Sequence, residues 1–334
     1  MAGSQATSGS AQNTTPSMFS TLTLTGINNI SSITMNRGED FPPHQFDLVT
    51  GSYVSMGKWG SSQGPQGAGH LSLRLGKRIS GGGGGVVYEA EILTFGTKES
   101  GVAPSHPLPL DQKLCIKVAR PNRCRTLARE AWMYRKLGGL RGVISPQFYG
   151  LFTASLSETQ APFPPEEDLV RLKNDDLTQD EFLPDDDGPI DGLGGRDGSK
   201  WCEWRPDPEA PMLAVLVMSG CGPAYTQRDH WDSSTQEDVC AVLDDLSRAS
   251  VLHGDLRPPN LVRAPANATP CELHQCVHKW NVIDLARASA VEISVDAALY
   301  LKTDRTPEED LRLDMWDLFL HMQQTSYKTE RFDL

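Results

Sequence analysis

No run of this 334-residue chain approaches the roughly 20 apolar residues a helix needs to cross a bilayer, so no membrane span and no membrane partner are expected. The opening MAGSQATSGSAQNTTPS has no basic region leading into an apolar stretch, which argues against a secretory leader and for a cytoplasmic or nuclear protein. Basic residues are also short: 31 Lys and Arg stand against 43 Asp and Glu, a net charge of −12. Without a basic patch or stripe there is no footprint for a phosphate backbone, and no nucleic-acid partner is expected. Cysteines number seven, an odd count without dense regular spacing. That pattern is unlike a secreted disulfide framework and reads as reduced thiols.

What is present is unevenly spread. From Glu166 to Asp191 eleven acids face only Arg171 and Lys173, and the rest of the chain is close to neutral. Hydrophobic residues, 38% of the total, suffice for a core at this length. Residues 1–65 are rich in Ser, Thr, Gly and Gln without a sustained apolar period. They are expected to be disordered or weakly ordered, apart from a short strand around Phe19 to Leu24. From Leu71, LSLRLGKRI alternates, five glycines interrupt, and VVYEAEIL resumes, which reads as strand, turn, strand. KLCIKVA predicts another strand. RTLAREAWMYRKL predicts a helix over 125–137, with Leu127, Ala131, Tyr134 and Leu137 at helical intervals and Glu130 beside that stripe.

GVISPQFYGLFTA and MLAVLVMSGCG read as strands on either side of an acidic insert, about 156–210, whose composition predicts a solvated loop outside the core. A second helix is expected in EDVCAVLDDLSRASVLH, where Val239, Val242, Leu243, Leu246 and Ala249 recur. A smaller insert at about 263–276, a strand in HKWNVIDLA and a helix over 307–324 complete the reading. Trp132, Trp280 and Trp316 sit in apolar company and read as core.

Polar residues on a solvated face usually come singly. VLHGDLRPPNLV, residues 251–262, instead sets His253, Asp255 and Asn260 between apolar brackets, and NVIDLA places Asp284 at the end of another apolar run. A polyphosphate ligand demands close backbone approach, a cation, oxygen ligands for Mg2+ and a group that orients the nucleophile. Ser80, Gly81, Gly82, Gly83, Gly84 and Gly85 offer backbone N–H groups with almost no side-chain obstruction. Lys117 supplies a cation on an apolar strand, and Asp255, Asn260 and Asp284 supply hard oxygens. Alone, each is ordinary: a glycine run is a flexible turn, a strand lysine snorkels, a helix glutamate is solvated, and an Asp/Asn pair caps a turn. The signal lies in their order along the chain.

In that order they resemble the protein-kinase-like superfamily, and the chain is similar to fungal kinase-domain proteins, with the His-Gly-Asp form shared by aminoglycoside and choline phosphotransferases and by small atypical kinases. SGGGGGVVY resembles the family glycine loop, with Ser80 at the place of the first glycine, Gly82 and Gly85 at the second and third, and Val87 beyond them. LCIKVA matches the lysine strand, Glu130 falls where a helix glutamate pairs with that lysine, VLHGDLRPPNLV matches the catalytic loop, and VIDLA the metal-binding acid.

The resemblance implies an α+β, bilobal protein-kinase-like fold, with a β-rich N-lobe over 66–218 and a hinge and truncated helical C-lobe over 219–334. It implies ATP and Mg2+ as cofactors. Lys117 would hold the α and β phosphates with Glu130 orienting it, Asp255 would accept or orient the substrate hydroxyl, and Asn260 and Asp284 would bind metal. His253 would brace the loop, Arg257 would lie near the γ-phosphate, Met218 would stand behind adenine, and Ser219, Gly220 and Cys221 would form the hinge. The implied function is ATP/Mg2+-dependent phosphotransfer to a hydroxyl on protein Ser or Thr or on a small molecule. A catalytically inactive pseudokinase, a binding or scaffold module, is the alternative.

The chain departs from the family pattern in several places. Gly254 stands where many regulated kinases carry arginine, and Asp-Phe-Gly becomes Asp284-Leu285-Ala286. No Ala-Pro-Glu-like close follows, so the helical lobe is expected to be shortened, leaving apolar surface for a protein partner to cover. Asp314, in the last expected helix, faintly resembles the acid of a central helix of that lobe. CELHQCVH gathers Cys271, His274, Cys276 and His278, but its spacing does not match the separated pairs of common zinc sites. The expectation there is a loop with solvated histidines and incidental cysteines.

Overall fold

Alternation of period two organises most of the residues that this computed structural model describes, namely 19–26, 31–47, 52–54, 69–96, 113–157, 183–188, 196–207 and 209–291. Strands β1 (Phe19–Thr25), β2 (Ser32–Arg37), β3 (Gln45–Asp47) and β4 (Ser52–Val54) come first. They are followed by β5 (Gly69–Gly81), β6 (Gly85–Gly96), β7 (Leu114–Ala119), helix α1 (Cys124–Lys136), β8 (Phe148–Ser155) and β9 (Met212–Ser219). The second part holds α2 (Gln227–His230), α3 (Ser233–Arg248), β10 (Val251–Leu252), β11 (Leu261–Arg263), β12 (Trp280–Val282) and β13 (Ser289–Val291).

Seven strands close into a barrel in the order β1-β2-β8-β9-β7-β6-β5. Parallel pairing of β1 with β5 and antiparallel pairing of β2 with β8 complete the ring. Alternate side chains fill the barrel: Leu114, Ile116 and Val118 of β7 and Leu213, Val215 and Val217 of β9 pack there with Leu22, Leu24 and Met35. The intervening residues face outward into a second core, where Cys115, Ala119, Leu216 and Met218 meet α1. This is why LCIKVA shows no exposed residue: each face of β7 has its own apolar partner. Lys117 belongs to the outer series and therefore points toward α1.

The expected bilobal fold is overturned. The described residues form a β-rich fold around a closed barrel, with three short α-helices among them, of which α2 is a single turn, and no helical lobe. The physical reason lies in residues 1–65, expected to be weakly ordered apart from the short strand around Phe19 to Leu24 that β1 bears out. Their TLTL and SITM segments are alternating strands whose apolar members are fully or nearly buried, and they cover the edges of β5 and β8 that an open sheet would expose. Further along, β3 pairs in parallel with β13 in a sheet of order β10-β13-β3-β4, so an early segment fastens the chain just beyond Asp284.

The acidic insert also differs from its expected solvated loop. Its described parts fold onto α1: Asp185 and Trp201 are wholly buried and Arg196 nearly so. Asp185 pairs with Arg129 at 3.3 Å and with Arg196 at 2.9 Å, and it accepts a 2.6 Å hydrogen bond from the His44 N–H. Trp201 Nε1 donates to the Glu39 carbonyl at 2.6 Å. Trp132 and Trp280 are buried. The helix at 307–324, with Asp314 and Trp316, lies outside the described residues. No helix among the described residues is long and apolar enough to cross a membrane.

Candidate functional site

The glycine run becomes the tight turn between β5 and β6, closed by a Gly82 N–H to Gly85 carbonyl bond of 2.9 Å. Ser80, next to the last residue of β5, lies on the exposed rim opposite Val87. The glycines differ in what requires them. A Cβ on Gly85 would lie 2.4 Å from the Val118 carbonyl oxygen, so packing demands glycine there. A Cβ on Gly82, Gly83 or Gly84 would meet nothing within 4 Å, so the protein itself has no steric need of glycine at those positions. Arg120 ties the turn down, its Nε donating to the Gly82 carbonyl at 2.9 Å.

Beneath this hairpin, Val87 pairs with Lys117 across the β6–β7 ladder. The Lys117 ammonium lies 2.7 Å from Glu130 Oε2 and 2.7 Å from Asp284 Oδ1. Lys117 is buried, Glu130 is 1% exposed, and the Asp284 side chain keeps 34% exposure, so the cluster opens to solvent on the Asp284 side. Burial pushes the Glu130 carboxyl up to about 7 against the Lys117 ammonium and the Leu285 amide, which act to lower it, while the Asp284 charge adds to the rise. Burial alone would lower Lys117, but the Glu130 and Asp284 charges outweigh it and hold the ammonium above its ordinary range. For Asp284 burial acts upward, and Lys117 overrides it to keep the carboxyl low. Three ionisable groups thus share one proton-rich cation between two acids.

The Asp255 loop is braced against the same strand end. His253 is wholly buried. Its Nε2 donates to the Ile283 carbonyl at 2.9 Å, and its Nδ1 accepts from the Asp255 N–H at 3.3 Å, which fixes one neutral tautomer. Burial lowers its pKa accordingly. Asn260 Nδ2 donates to the Asp255 carbonyl at 2.7 Å and to its Oδ2 at 3.3 Å, while Arg257 lies 3.3 Å from the same carboxylate oxygen. The Ile283 N–H donates to the Asn260 carbonyl, joining both candidate metal ligands through backbone. Gly254 has φ +73, and a Cβ there would lie 2.4 Å from the Arg287 carbonyl oxygen. The arginine common at this position in regulated kinases has no room in this loop. Asp284 itself takes the left-handed conformation, φ 61 and ψ 58, which aims its side chain back at Lys117.

The segment read as a hinge is present at the end of β9, with differences in detail. Met218 is buried on the outer face. The Ser219 N–H donates to the Gln147 carbonyl and the Gly220 N–H to the Lys113 carbonyl, so neither amide is open to a purine edge. Burial pushes the Cys221 thiol up to about 11, which makes it a neutral packing group. The structure therefore brings together Lys117, Glu130 and Asp284, joins Asp255, Asn260, Arg257 and His253 in one loop, and hangs the glycine turn above β7. Neither protein families nor curated proteins provide a match to this chain.

Sequence reading missed two groups of residues. Arg129 follows the α1 stripe into complete burial and donates from Nη1 to the Ala286 carbonyl at 2.5 Å, linking the insert to the Asp284 turn. The histidines of the CELHQCVH loop are not the solvated groups expected, although Glu272, Leu273, Gln275, Cys276 and Val277 are exposed. His278 and Cys271 are buried and converge with His274 on Asp245 of α3. The signal was in α3, where Asp238 and Asp245 fall at helical intervals from Val242 and Ala249, so acids occupy an apolar face.

Proposed function

We propose that the chain is an ATP- and Mg2+-dependent phosphotransferase acting on a hydroxyl of a protein or small molecule. The observation that carries this reading is the buried Lys117 ammonium held at 2.7 Å by both Glu130 and Asp284 below a glycine hairpin. Such an ammonium is a fixed point charge for the α and β phosphates, and its two carboxylates determine where it points. The three glycines without a steric role in the protein leave space for a polyphosphate to approach the backbone.

The oxygen donors fit a divalent cation. Asn260 directs Nδ2 at Asp255, which turns Oδ1 away from that carboxylate, and Asp284 uses Oδ1 for Lys117, leaving Oδ2 for a metal. Asn260 and Asp284 would hold Mg2+, which when bound supplies charge neutralisation on the phosphates. Asp255, steadied by Asn260 and Arg257, orients the acceptor hydroxyl and takes its proton, and His253 keeps the loop in register with Ile283. Arg257, 45% exposed beside the Asp255 carboxylate, would lie near the transferred phosphoryl.

A binding module without turnover is the second reading, supported by one observation: Asp284 is paired directly with the lysine that a nucleotide would need. ATP affinity by calorimetry and Mg2+-dependent turnover on the purified chain separate the two. Turnover lost in Asp284→Ala and Asp255→Asn is expected. ATP binding with no turnover in the unaltered chain selects the binding module, and absence of both sinks the nucleotide reading.

A further inference from the structure

Away from the Lys117 cluster, four side chains of metal-ligating type meet at one point. Asp245 comes from α3, and Cys271, His274 and His278 come from the long connection between β11 and β12. Their ligand atoms all lie within 4.8 Å of one another. The recorded separations are Asp245 Oδ2 to Cys271 Sγ 3.1 Å, to His278 Nε2 3.0 Å and to His274 Nδ1 3.4 Å, and Cys271 Sγ to His274 Nδ1 3.5 Å. With bond lengths of about 2.3 Å to sulfur and about 2.0–2.1 Å to nitrogen and oxygen, a tetrahedral Zn2+ site has ligand–ligand edges of about 3.3–3.6 Å. The observed edges match that polyhedron to within a few tenths of an ångström.

His274 Nε2 lies 3.1 Å from Asp244 Oδ2, and His278 Nδ1 lies 3.3 Å from Asp238 Oδ1. With a carboxylate on each outer nitrogen, the inner nitrogens, His274 Nδ1 and His278 Nε2, are the ones that face the shared point. Without an ion, burial acts to lower His278, but its hydrogen bonds to Asp238 and Asp245 outweigh it and push the imidazole up to about 10, so a bound ion displaces that proton. Carboxylates on the outer nitrogens are the usual second layer around metal-bound histidine, where they set tautomer and orientation. The His274 N–H also donates to Cys271 Sγ at 3.4 Å.

We propose that Asp245, Cys271, His274 and His278 bind one Zn2+ ion that staples α3 to the connection between β11 and β12. The carboxylate and thiolate neutralise the ion, with both imidazoles neutral. Four protein ligands, with only His274 appreciably exposed at 23%, leave no open position, which makes the site structural. Its placement gives it a consequence for the rest of the molecule. α3 leads into the loop of Asp255, and His278 leads through β12 into Asp284, so the staple holds the two stems of the candidate site together.

The test uses the full chain. Metal content after zinc addition and buffer exchange is expected to be about one Zn2+ per chain. Replacement by Co2+ is expected to give a tetrahedral visible spectrum with thiolate-to-metal charge transfer, retained in Cys276→Ser and lost in Cys271→Ser. A folded chain that retains no zinc, or that gives an octahedral Co2+ spectrum without the thiolate band, overturns the proposal. So does a thiolate band that survives Cys271→Ser and disappears in Cys276→Ser. The unaltered chain decides the first two outcomes, so the proposal stays testable even if Cys271→Ser does not fold.

Discussion

Gly83 and Gly85 are neighbours of identical composition with different reasons to be glycine. Gly85 sits where a Cβ would run into the Val118 backbone oxygen, an atom that cannot move aside without breaking the β6–β7 ladder. Gly85→Ala is expected to cost more than about 1 kcal/mol by overpacking, read from the urea midpoint. Gly83 has nothing within 4 Å of the same added atom. Gly83→Ala is expected to stay within about 0.5 kcal/mol of the unaltered chain while weakening ATP affinity, measured by calorimetry. An unchanged affinity would count against a phosphate cradle at this turn. The same logic explains Gly254, whose positive φ and tight approach to Arg287 are read as a missing arginine only when the loop is considered without its neighbours.

At the scale of elements, α1 is unusual for a helix that carries charge. Residues Cys124 to Tyr134 are all buried, including Arg125, Arg129 and Glu130, so the helix has no solvated face along that length. Such charges persist in low dielectric only with partners, and the insert supplies them: Asp186 pairs with Arg125 and Arg196, and Asp185 with Arg129 and Arg196. Arg129 and Arg196 hold the Asp185 carboxyl below its ordinary range although burial acts to raise it. Asp185→Ala would take the carboxylate partner from buried Arg129 and one of two from Arg196, an expected loss of about 3–5 kcal/mol in chemical denaturation. Asp187→Ala, exposed and two positions away, is expected to change stability by less than about 0.5 kcal/mol. Equal effects of the two would remove the argument that this insert is part of the α1 packing. Through the Arg129 bond to the Ala286 carbonyl, the Asp185 substitution is also expected to loosen the Asp284 turn.

For the whole molecule, the decisive feature is closure of the barrel by β1 and β2. Leu22 and Met35 are register partners across that hairpin and both are fully buried. Leu22→Ala and Met35→Ala are each expected to cost about 2–5 kcal/mol in a urea titration. Combined, they should depart from additivity by at least about 0.5 kcal/mol, since they share one contact. If the early segment were only weakly ordered, both substitutions would fall within about 0.5 kcal/mol of the unaltered chain. Closure also bears on function, because the same early segment continues as β3 and pairs with β13, fastening the chain on the far side of Asp284.

Short-range chemistry was legible in the sequence. The strands and helices around Lys117, Glu130 and the Asp255 loop follow from period and composition within a dozen residues, and the resemblance implied the Lys117–Glu130 pair, whereas the 2.7 Å contact of Lys117 with Asp284, expected as a metal ligand, was not legible. What tertiary structure decided were the pairings that composition hides. Leu22 and Leu24, expected in a short strand, and Ile33 and Met35, expected in weakly ordered chain, show only in three dimensions that they close a barrel edge. Asp185 and Asp245 look like surface charge until Arg129, Arg196 and two histidines surround them. Local propensity determines whether a segment is extended or helical, but the burial of an acid or the closure of a sheet depends on which distant partner removes it from water, and that information exists only in three dimensions.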